Sequence, residues 1–406
     1  MDITPIIDSL NPSQRDAVTS PNAALLVLAG AGSGKTRVLV HRIAWLMQVE
    51  GVSPQGILAV TFTNKAAHEM RGRIEELLNI PARNLWVGTF HGLAHRLLRR
   101  HAREAGLPEA FQVLDSDDQY RMIRRILKSL EMDEARYPPR QAQWFINGHK
   151  EEGRRARHLG EAHDAFQRQW QEVYRIYEEQ CDRSGLVDFA ELLLRTHEFM
   201  RDTPDVLAHY QQRFHHVLVD EFQDTNHIQY AWLRLLTRDR QNLFAVGDDD
   251  QSIYSWRGAE VENLQKFQRD YPGHQMVRLE QNYRSTGNIL NAANALIARN
   301  EGRLGKTLWT AGGAGDPISV YAAFNEQDEA YFVVERLRQW CHEGGSRRDS
   351  AILYRSNAQS RQFEERLLAM GVPYKVYGGL RFFERAEIKD ALAYLRLVTH
   401  PQDDPS

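Results

Sequence analysis

The sequence predicts an α/β protein: a parallel sheet, a helical domain inserted into it, and a second α/β series behind it. Three observations carry that prediction. Short apolar runs without polar alternation recur with helical stretches between them, as strands buried on both faces of a parallel sheet do. The glycine-rich string Ala29-Gly30-Ala31-Gly32-Ser33-Gly34-Lys35-Thr36 follows one such run and opens a helix. From about Phe90 to Phe214 the strand rhythm stops, in a segment rich in Arg, Glu, Gln, Leu and Ala.

Taken in order, Ala24 to Leu28 reads as the first strand and Lys35 to Met47 as its helix. Ile57 to Phe62 is a second strand and Asn64 to Leu78 its helix. Ser116 to Leu130, Phe166 to Cys181 and Phe189 to Phe199 read as helices, and no strand is expected among them. Val217 to Asp220, Leu243 to Gly247 and Met276 to Leu279 resume the sheet. After Glu280 a second series begins, with strands at Ile318–Tyr321, Ala351–Tyr354 and Tyr374–Tyr377. Helices are expected there from Asp328, from Ala358 and over Ala386 to Leu397.

A chain of 406 residues suggests two to four domains at roughly 150 residues each. Composition is that of an ordinary folded protein, with 42% hydrophobic and 26% charged residues, which argues against disorder. Lys plus Arg is 51 and Asp plus Glu is 54, so the formal charge is 51 − 54 = −3. A near-neutral chain does not advertise nucleic-acid binding, so any such site must be local. The longest apolar run near the start, Ala23 to Ala29, is too short to span a bilayer, and the first residues lack a basic leader. Cys181 and Cys341 stand far apart, which excludes a disulfide scaffold or thiolate zinc cluster and suits a reducing cytoplasmic setting.

The string Ala29 to Thr36 has the context a phosphate-binding loop needs. Its small residues let backbone N–H groups converge on phosphate oxygens. Lys35 would reach the outer phosphates and Thr36 would ligate Mg²⁺. Ala29 stands where the general pattern has Gly. The strand Val217-Leu218-Val219 ends in Asp220 and Glu221, which puts paired acids at the carboxyl edge of the sheet, where α/β sites form. Asp220 could hold the metal and Glu221 could activate water. Gly247 to Gln251 follows another strand; Gln251 could sense a terminal phosphate, or the acids beside it could be a solvated turn.

Tyr254 and Trp256 come next, with Arg257 beside them, and exposed aromatics next to Arg can stack bases of any sequence. Phe62 and His91 also sit just after expected strands. Arg96, Arg99, Arg100 and Arg103 give one helix a basic face, either solvated or tracking phosphates.

These residues fall into the order of a known family. Leu10-Asn11-Pro12-Ser13-Gln14, the phosphate loop, Thr61 to Ala67, Gly88 to Gly92, Asp220 to Asn226, Gly247 to Gly258 and Leu279 to Ser285 make seven motifs in sequence. The chain resembles the superfamily 1A DNA helicases, the UvrD and Rep group, over its whole length. The resemblance implies a RecA-like phosphate-loop core (1–89 plus 215–280) with an inserted helical domain (90–214). A second, truncated RecA-like domain (281–377) would follow, then the start of another helical insertion (378–406).

The resemblance also implies roles. Gln14 would read the adenine edge, and Arg37 and Tyr283 would sandwich its ring. Arg284 would act as an arginine finger on the γ-phosphate. Gln251 would link that phosphate to the DNA-facing Tyr254 and Trp256. Phe62, Thr63, Asn64 and His91 would line the single-strand path, with Arg355 and Asn357 joining from the second domain. The implied activity is ATP- and Mg²⁺-dependent 3′-to-5′ translocation on single-stranded DNA and unwinding of 3′-tailed duplex. The implied setting is DNA repair, alongside excision- and mismatch-repair proteins. Two later family motifs, a His-Ser-Ala-Lys-Gly-like and a Thr-Arg-Ala-like string, do not occur before Ser406. The expectation is therefore an N-terminal fragment that binds nucleotide and DNA but couples them poorly.

Overall fold

The computed structural model describes residues 3–21, 24–81, 85–252, 262–301, 303–377, 390–392 and 394. The strands among them are β1 (Leu25–Ala29), β2 (Ile57–Thr61), β3 (Trp86–Thr89), β4 (Gln112–Val113), β5 (Leu186–Val187), β6 (His216–Val219), β7 (Leu243–Gly247) and β8 (Gln275–Leu279). Six of these form one parallel sheet in the order β3-β2-β6-β7-β1-β8.

The uninterrupted apolar runs follow from that topology, because each central strand is covered twice. Leu26, Leu28, Leu58, Val60, Val217, Val219 and Ala245 face one core, against helices Phe90–Arg100, Phe189–Asp202 and His227–Thr237. Leu25, Val27, Ile57, Ala59, Leu218 and Val246 face the other, against helices Pro12–Thr19, Lys35–Gln48 and Asn64–Leu78. Polar side chains start these helices where the strands end: Thr63 Oγ1 accepts from Ala66 N at 3.0 Å and Thr89 Oγ1 from Gly92 N at 3.1 Å. The strand ends carrying motif residues therefore share one edge of the sheet.

Helices Ser116–Ser129, Pro139–Glu151 and Ala165–Ser184 bury a separate cluster that includes Ile123, Ile126, Ile146, Val173 and Tyr177. A buried ionic group ties it to helix Phe189–Asp202. Lys150 Nζ lies 2.7 Å from Asp188 and 3.0 Å from Glu191, and Tyr177 donates to Asp188 at 2.7 Å. The expectation of no strand between Phe90 and Phe214 is corrected here. β4 and β5 pair in parallel, Gln112 with Leu186 and Val113 with Val187. Two-residue strands carry no periodicity, and their pairing is made by the helices that bring them together.

The chain divides into two units, Met1–Asp316 and Pro317–Ser406. Residues 281–316 pack with the first unit, where Asn282 and Tyr283 hydrogen-bond back onto its phosphate loop. In the second unit, helices Glu326–His342 and Ser360–Ala369 form near their expected starts. The strands expected at Ile318–Tyr321, Ala351–Tyr354 and Tyr374–Tyr377 do not form. Their side chains are exposed or only half-buried, Val320 and Leu353 each 93% exposed. An apolar run becomes a strand only when neighbours supply hydrogen bonds and cover. The expected helix at Ala386–Leu397 and the region 378–406 lie almost wholly outside the described residues. No described helix is long and apolar enough to cross a membrane.

Candidate nucleotide and nucleic-acid site

Ala29 closes β1, and the loop Gly30–Gly34 delivers the chain into helix Lys35–Gln48. Gly32 and Gly34 hold φ of 71° and 92°, a left-handed backbone that side chains resist. Space forbids a Cβ at either position as well. One at Gly32 would lie 2.6 Å from Asn282 Nδ2 and 2.7 Å from Arg284 Cβ, and one at Gly34 2.7 Å from Gln14 Nε2. The loop is braced from inside, where the buried Ser33 Oγ donates to Gly30 O at 2.7 Å. These features fit a phosphate cradle.

Asn11 starts helix Pro12–Thr19 with a reciprocal cap. Its Oδ1 accepts from Gln14 N at 2.8 Å, and Gln14 Oε1 accepts from Asn11 N at 3.2 Å. Gln14 Nε2 then donates to Ser33 O at 2.8 Å. Gln14 is therefore built into the loop and keeps one amide N–H beyond that bond. Asn11 Nδ2 also donates to Tyr283 Oη at 2.8 Å, which brings the exposed Tyr283 ring to the same edge. Tyr283 N donates to Gly32 O at 2.9 Å, and Asn282 Nδ2 to Ala31 O at 2.5 Å. The structure thus sets Tyr283 and the exposed Arg284 against the phosphate loop. Arg37 is exposed and Thr36 half-buried on the first turn of the loop's helix.

Lys35 Nζ lies 2.7 Å from Glu221 Oε2. Glu221 has φ 49° and ψ 46°, a strained conformation for a non-glycine residue, which turns its carboxylate off the end of β6 toward the loop. Asp220, buried beside it, has its carboxyl pushed up to about 7 by burial and then by the Glu221 charge, against the pull of Lys35. Asp224 is pushed up to about 6 for the same reasons, and its Oδ1 is buried without a hydrogen-bond partner. Acids this poorly compensated fit a hard cation such as Mg²⁺.

Sequence reasoning passed over Gln223, which joins this centre to the next strand. It donates to Glu221 Oε2 at 3.0 Å and accepts from Asp248 N at 2.9 Å. Gln251 Nε2 in turn donates to Asp248 Oδ2. The carboxylates of Asp248, Asp249 and Asp250 come within 4.8 Å of one another, a metal-like cluster. Lys306 Nζ bonds all three, at 2.6, 2.5 and 2.8 Å, so an ammonium fills the place a cation would take. No local signal marks Lys306, because its partners lie far away in sequence.

At the other end of the sheet edge, β2 pairs Thr61 with Thr89 of β3, so Phe62 emerges beside Phe90, with His91 next in the chain. Phe62 packs edge-on against Phe90 at 5.4 Å and His91 against Phe189 at 5.9 Å. Burial pushes His91 down to about 4, so its ring is neutral at physiological pH. Phe189 is 51% exposed, an aromatic set out by the Asp188 cap at the start of its helix. Its place just after that cap is the one signal that could have found it. Thr63 and Asn64 are exposed at the same edge. Arg355 and Asn357 are exposed in the second unit, where Gln359 Oε1 accepts from Arg355 N at 2.8 Å. Tyr254, Trp256 and Arg257 lie outside the described residues. A groove of about 1040 Å³ lies elsewhere, along the inserted helices. Its central Arg155 is spent on Glu178, Glu191 and Glu198, which leaves little charge for a ligand.

Comparison with known proteins agrees with this geometry. Residues 10–272 match the UvrD/REP helicase N-terminal domain, and residues 277–406 match the UvrD-like helicase C-terminal domain. The chain is 61% identical over 404 residues to DNA helicase II of Escherichia coli and 57% identical over 408 residues to that of Haemophilus influenzae. It is 47% identical over 409 residues to the ATP-dependent DNA helicase PcrA of Leuconostoc citreum. Each alignment takes in 100% of this chain, which spans 56%, 56% and 54% of those relatives respectively.

Proposed function

Because the chain belongs to the UvrD/REP helicase family, we propose that it works as an ATP-dependent DNA helicase, moving 3′ to 5′ on single-stranded DNA and opening 3′-tailed duplex during repair in the cytoplasm. The observation that carries this reading is the bonded path Lys35–Glu221–Gln223–Asp248–Gln251. It joins the phosphate loop to the turn that leads into Tyr254, Trp256 and Arg257. A change at the terminal phosphate thereby has a physical route to the DNA-facing aromatics.

Ala29 to Thr36 would cradle the phosphates, with Gln14, Arg37 and Tyr283 around the base. Thr36 and Asp220 would hold Mg²⁺, which when bound polarises the phosphate oxygens. Glu221 would take the proton of the attacking water, while Lys35 and Arg284 balance charge on the phosphoryl group and Gln251 reports on it. Phe62, Thr63, Asn64, His91 and Phe189 would line the strand path, and the family reading also gives Arg355 and Asn357 a contact with the strand. The family reading assigns 1–89 with 215–280 to the first core domain and 90–214 to a helical insertion. It assigns 281–377 to the second core domain and 378–406 to a further insertion. The separate apolar cluster among the inserted helices supports the second of these. Excision- and mismatch-repair proteins are the partners this reading implies.

A second reading, a nucleotide- and DNA-binding module without coupled turnover, is favoured for residues 1–406 by the unpaired apolar runs at 318–321, 351–354 and 374–377. Steady-state ATP hydrolysis with and without single-stranded DNA tests both, alongside strand separation on 3′- and 5′-tailed duplexes. Stimulation with a 3′-tail preference supports the motor. Binding of both ligands without stimulation supports the module.

A further inference from the structure

Residues Arg303 to Trp309 lie across three motifs at once. Arg303 pairs with Asp250 through two bonds of 2.6 and 2.7 Å, and Leu304 N donates to Asp249 Oδ2 at 2.8 Å. Lys306, 7% exposed, bonds Asp248, Asp249 and Asp250 together. Thr307 N donates to Glu280 Oε1 at 2.9 Å, and the Leu308 side chain closes over Gly30, where a Cβ would collide with it. Trp309 N donates to Glu280 O at 3.0 Å, and Asn282 N to Trp309 O at 2.7 Å. The segment therefore touches the Gln251 turn, the phosphate loop and the strand that presents Tyr283 and Arg284.

We propose that residues 303–309 are a coupling strap, and that Lys306 is a positioning residue that holds the Gln251 turn in register with the phosphate loop. The proposal rests on the helicase reading above and adds to it the element that sets the geometry between its two sites. Three carboxylates within 4.8 Å repel one another strongly. With Lys306 and Arg303 the group carries a net charge of 2 − 3 = −1, and its geometry is then fixed by directed bonds. Asp248 is the member that faces inward, donating its N–H to Gln223 Oε1 and accepting from Gln251 Nε2 on its carboxylate. Loosening Lys306 frees Asp248, and through it the separation of Gln251 from Glu221. Movement on that scale matters, because a displacement of about 1 Å at a reacting centre can cost roughly a hundredfold in rate.

The test uses Lys306→Met and, as a gentler change, the paired Arg303→Gln with Asp250→Asn, both in the full chain as the cell makes it. A fluorescent ATP analogue reads nucleotide affinity, melting reads the fold, and steady-state assays read hydrolysis with and without single-stranded DNA. Analogue affinity and the KM for ATP should stay near wild type while DNA-stimulated kcat falls at least about tenfold, the paired variant showing a smaller fall of the same kind. Stimulation that persists undiminished in folded variants overturns the proposal. So does a loss of analogue binding in step with the loss of stimulation, which would make Lys306 a support of the nucleotide loop alone. If the paired variant folds where Lys306→Met does not, its kcat decides. A wild-type chain that binds the analogue but shows no DNA stimulation sinks the helicase reading itself, a result separable from failure of the strap.

Discussion

Lys35 Nζ and Glu221 Oε2 lie 2.7 Å apart, a direct ion pair between the phosphate loop and the end of β6. Each partner is also a candidate for the chemistry, so their removal should differ in kind. Lys35→Ala takes away the charge proposed to face phosphate. ATP hydrolysis should fall below detection while single-strand affinity stays within a few fold. Glu221→Gln keeps the shape but removes the proposed base, so ATP should bind and persist unhydrolysed. Filter binding and single-turnover hydrolysis separate the two, and normal turnover in Glu221→Gln would place the base elsewhere.

Asp220 provides a pH signature. Its folded carboxyl sits at about 7 against an ordinary 3.8, so the folded state holds a proton that the unfolded chain gives up. The stability this contributes is full below about 3.8 and is lost as pH rises through about 7. In the presence of chelator, wild type should therefore lose stability between pH 5 and 8, by up to about 3 kcal/mol from this group. Asp220→Asn should flatten that slope. Millimolar Mg²⁺ with nucleotide should restore stability at pH 8 in wild type and not in the variant. Melting curves at the two pH values decide it, and a wild-type slope unaltered by Asp220→Asn would refute the assignment.

Gly32 tests how the loop meets the Tyr283–Arg284 segment. Ala at this position must adopt φ 71° and push its methyl to within 2.7 Å of Asn282 Nδ2 and Arg284 Cβ. Backbone strain of this kind costs about 1–3 kcal/mol before any clash. Gly32→Ala should weaken nucleotide affinity at least tenfold and leave the sheet intact. Retained affinity with a normal circular-dichroism spectrum would show that the segment can withdraw from the loop at little cost.

The strand path predicts losses that salt does not explain. Stacking contributes about 1–3 kcal/mol per base, so Phe189→Ala should weaken single-strand affinity by roughly tenfold or more. Trp256→Ala should weaken it by ten- to a hundredfold, a prediction that rests on its sequence neighbours Tyr254 and Arg257. His91 is neutral above about 4, so His91→Ala should leave the slope of affinity against salt concentration unchanged. Titrations at several salt concentrations check all three. A shallower salt slope in His91→Ala would mean the ring is charged when DNA is bound.

The phosphate loop, Asp220, Glu221 and the strands bearing them were legible because their chemistry is local. Eight consecutive residues from Ala29 to Thr36 carry the turn, the cradle and the lysine, and a run such as Val217-Leu218-Val219 announces its own burial. Gln223 lies inside the Asp220–Asn226 motif, yet nothing in its neighbours says that its amide spans from Glu221 to Asp248. Phe189 was read as the start of a helix, and only its exposure beside His91 suggests a contact with DNA.

What the sequence determined alone was the set of strands with two buried faces, the helices with capped starts, and the glycine-rich loop from Ala29 to Thr36. Each depends on spacing within a few positions, where backbone geometry is the same in any fold. What tertiary structure decided was which distant groups meet. Lys306 becomes the counter-charge of Asp248, Asp249 and Asp250 only after the chain returns past β8. β4 finds β5 only because the inserted helices carry it there. The runs at 318–321, 351–354 and 374–377 have the composition of strands and remain unpaired, because a strand is completed by its neighbours' hydrogen bonds and cover rather than by its own residues.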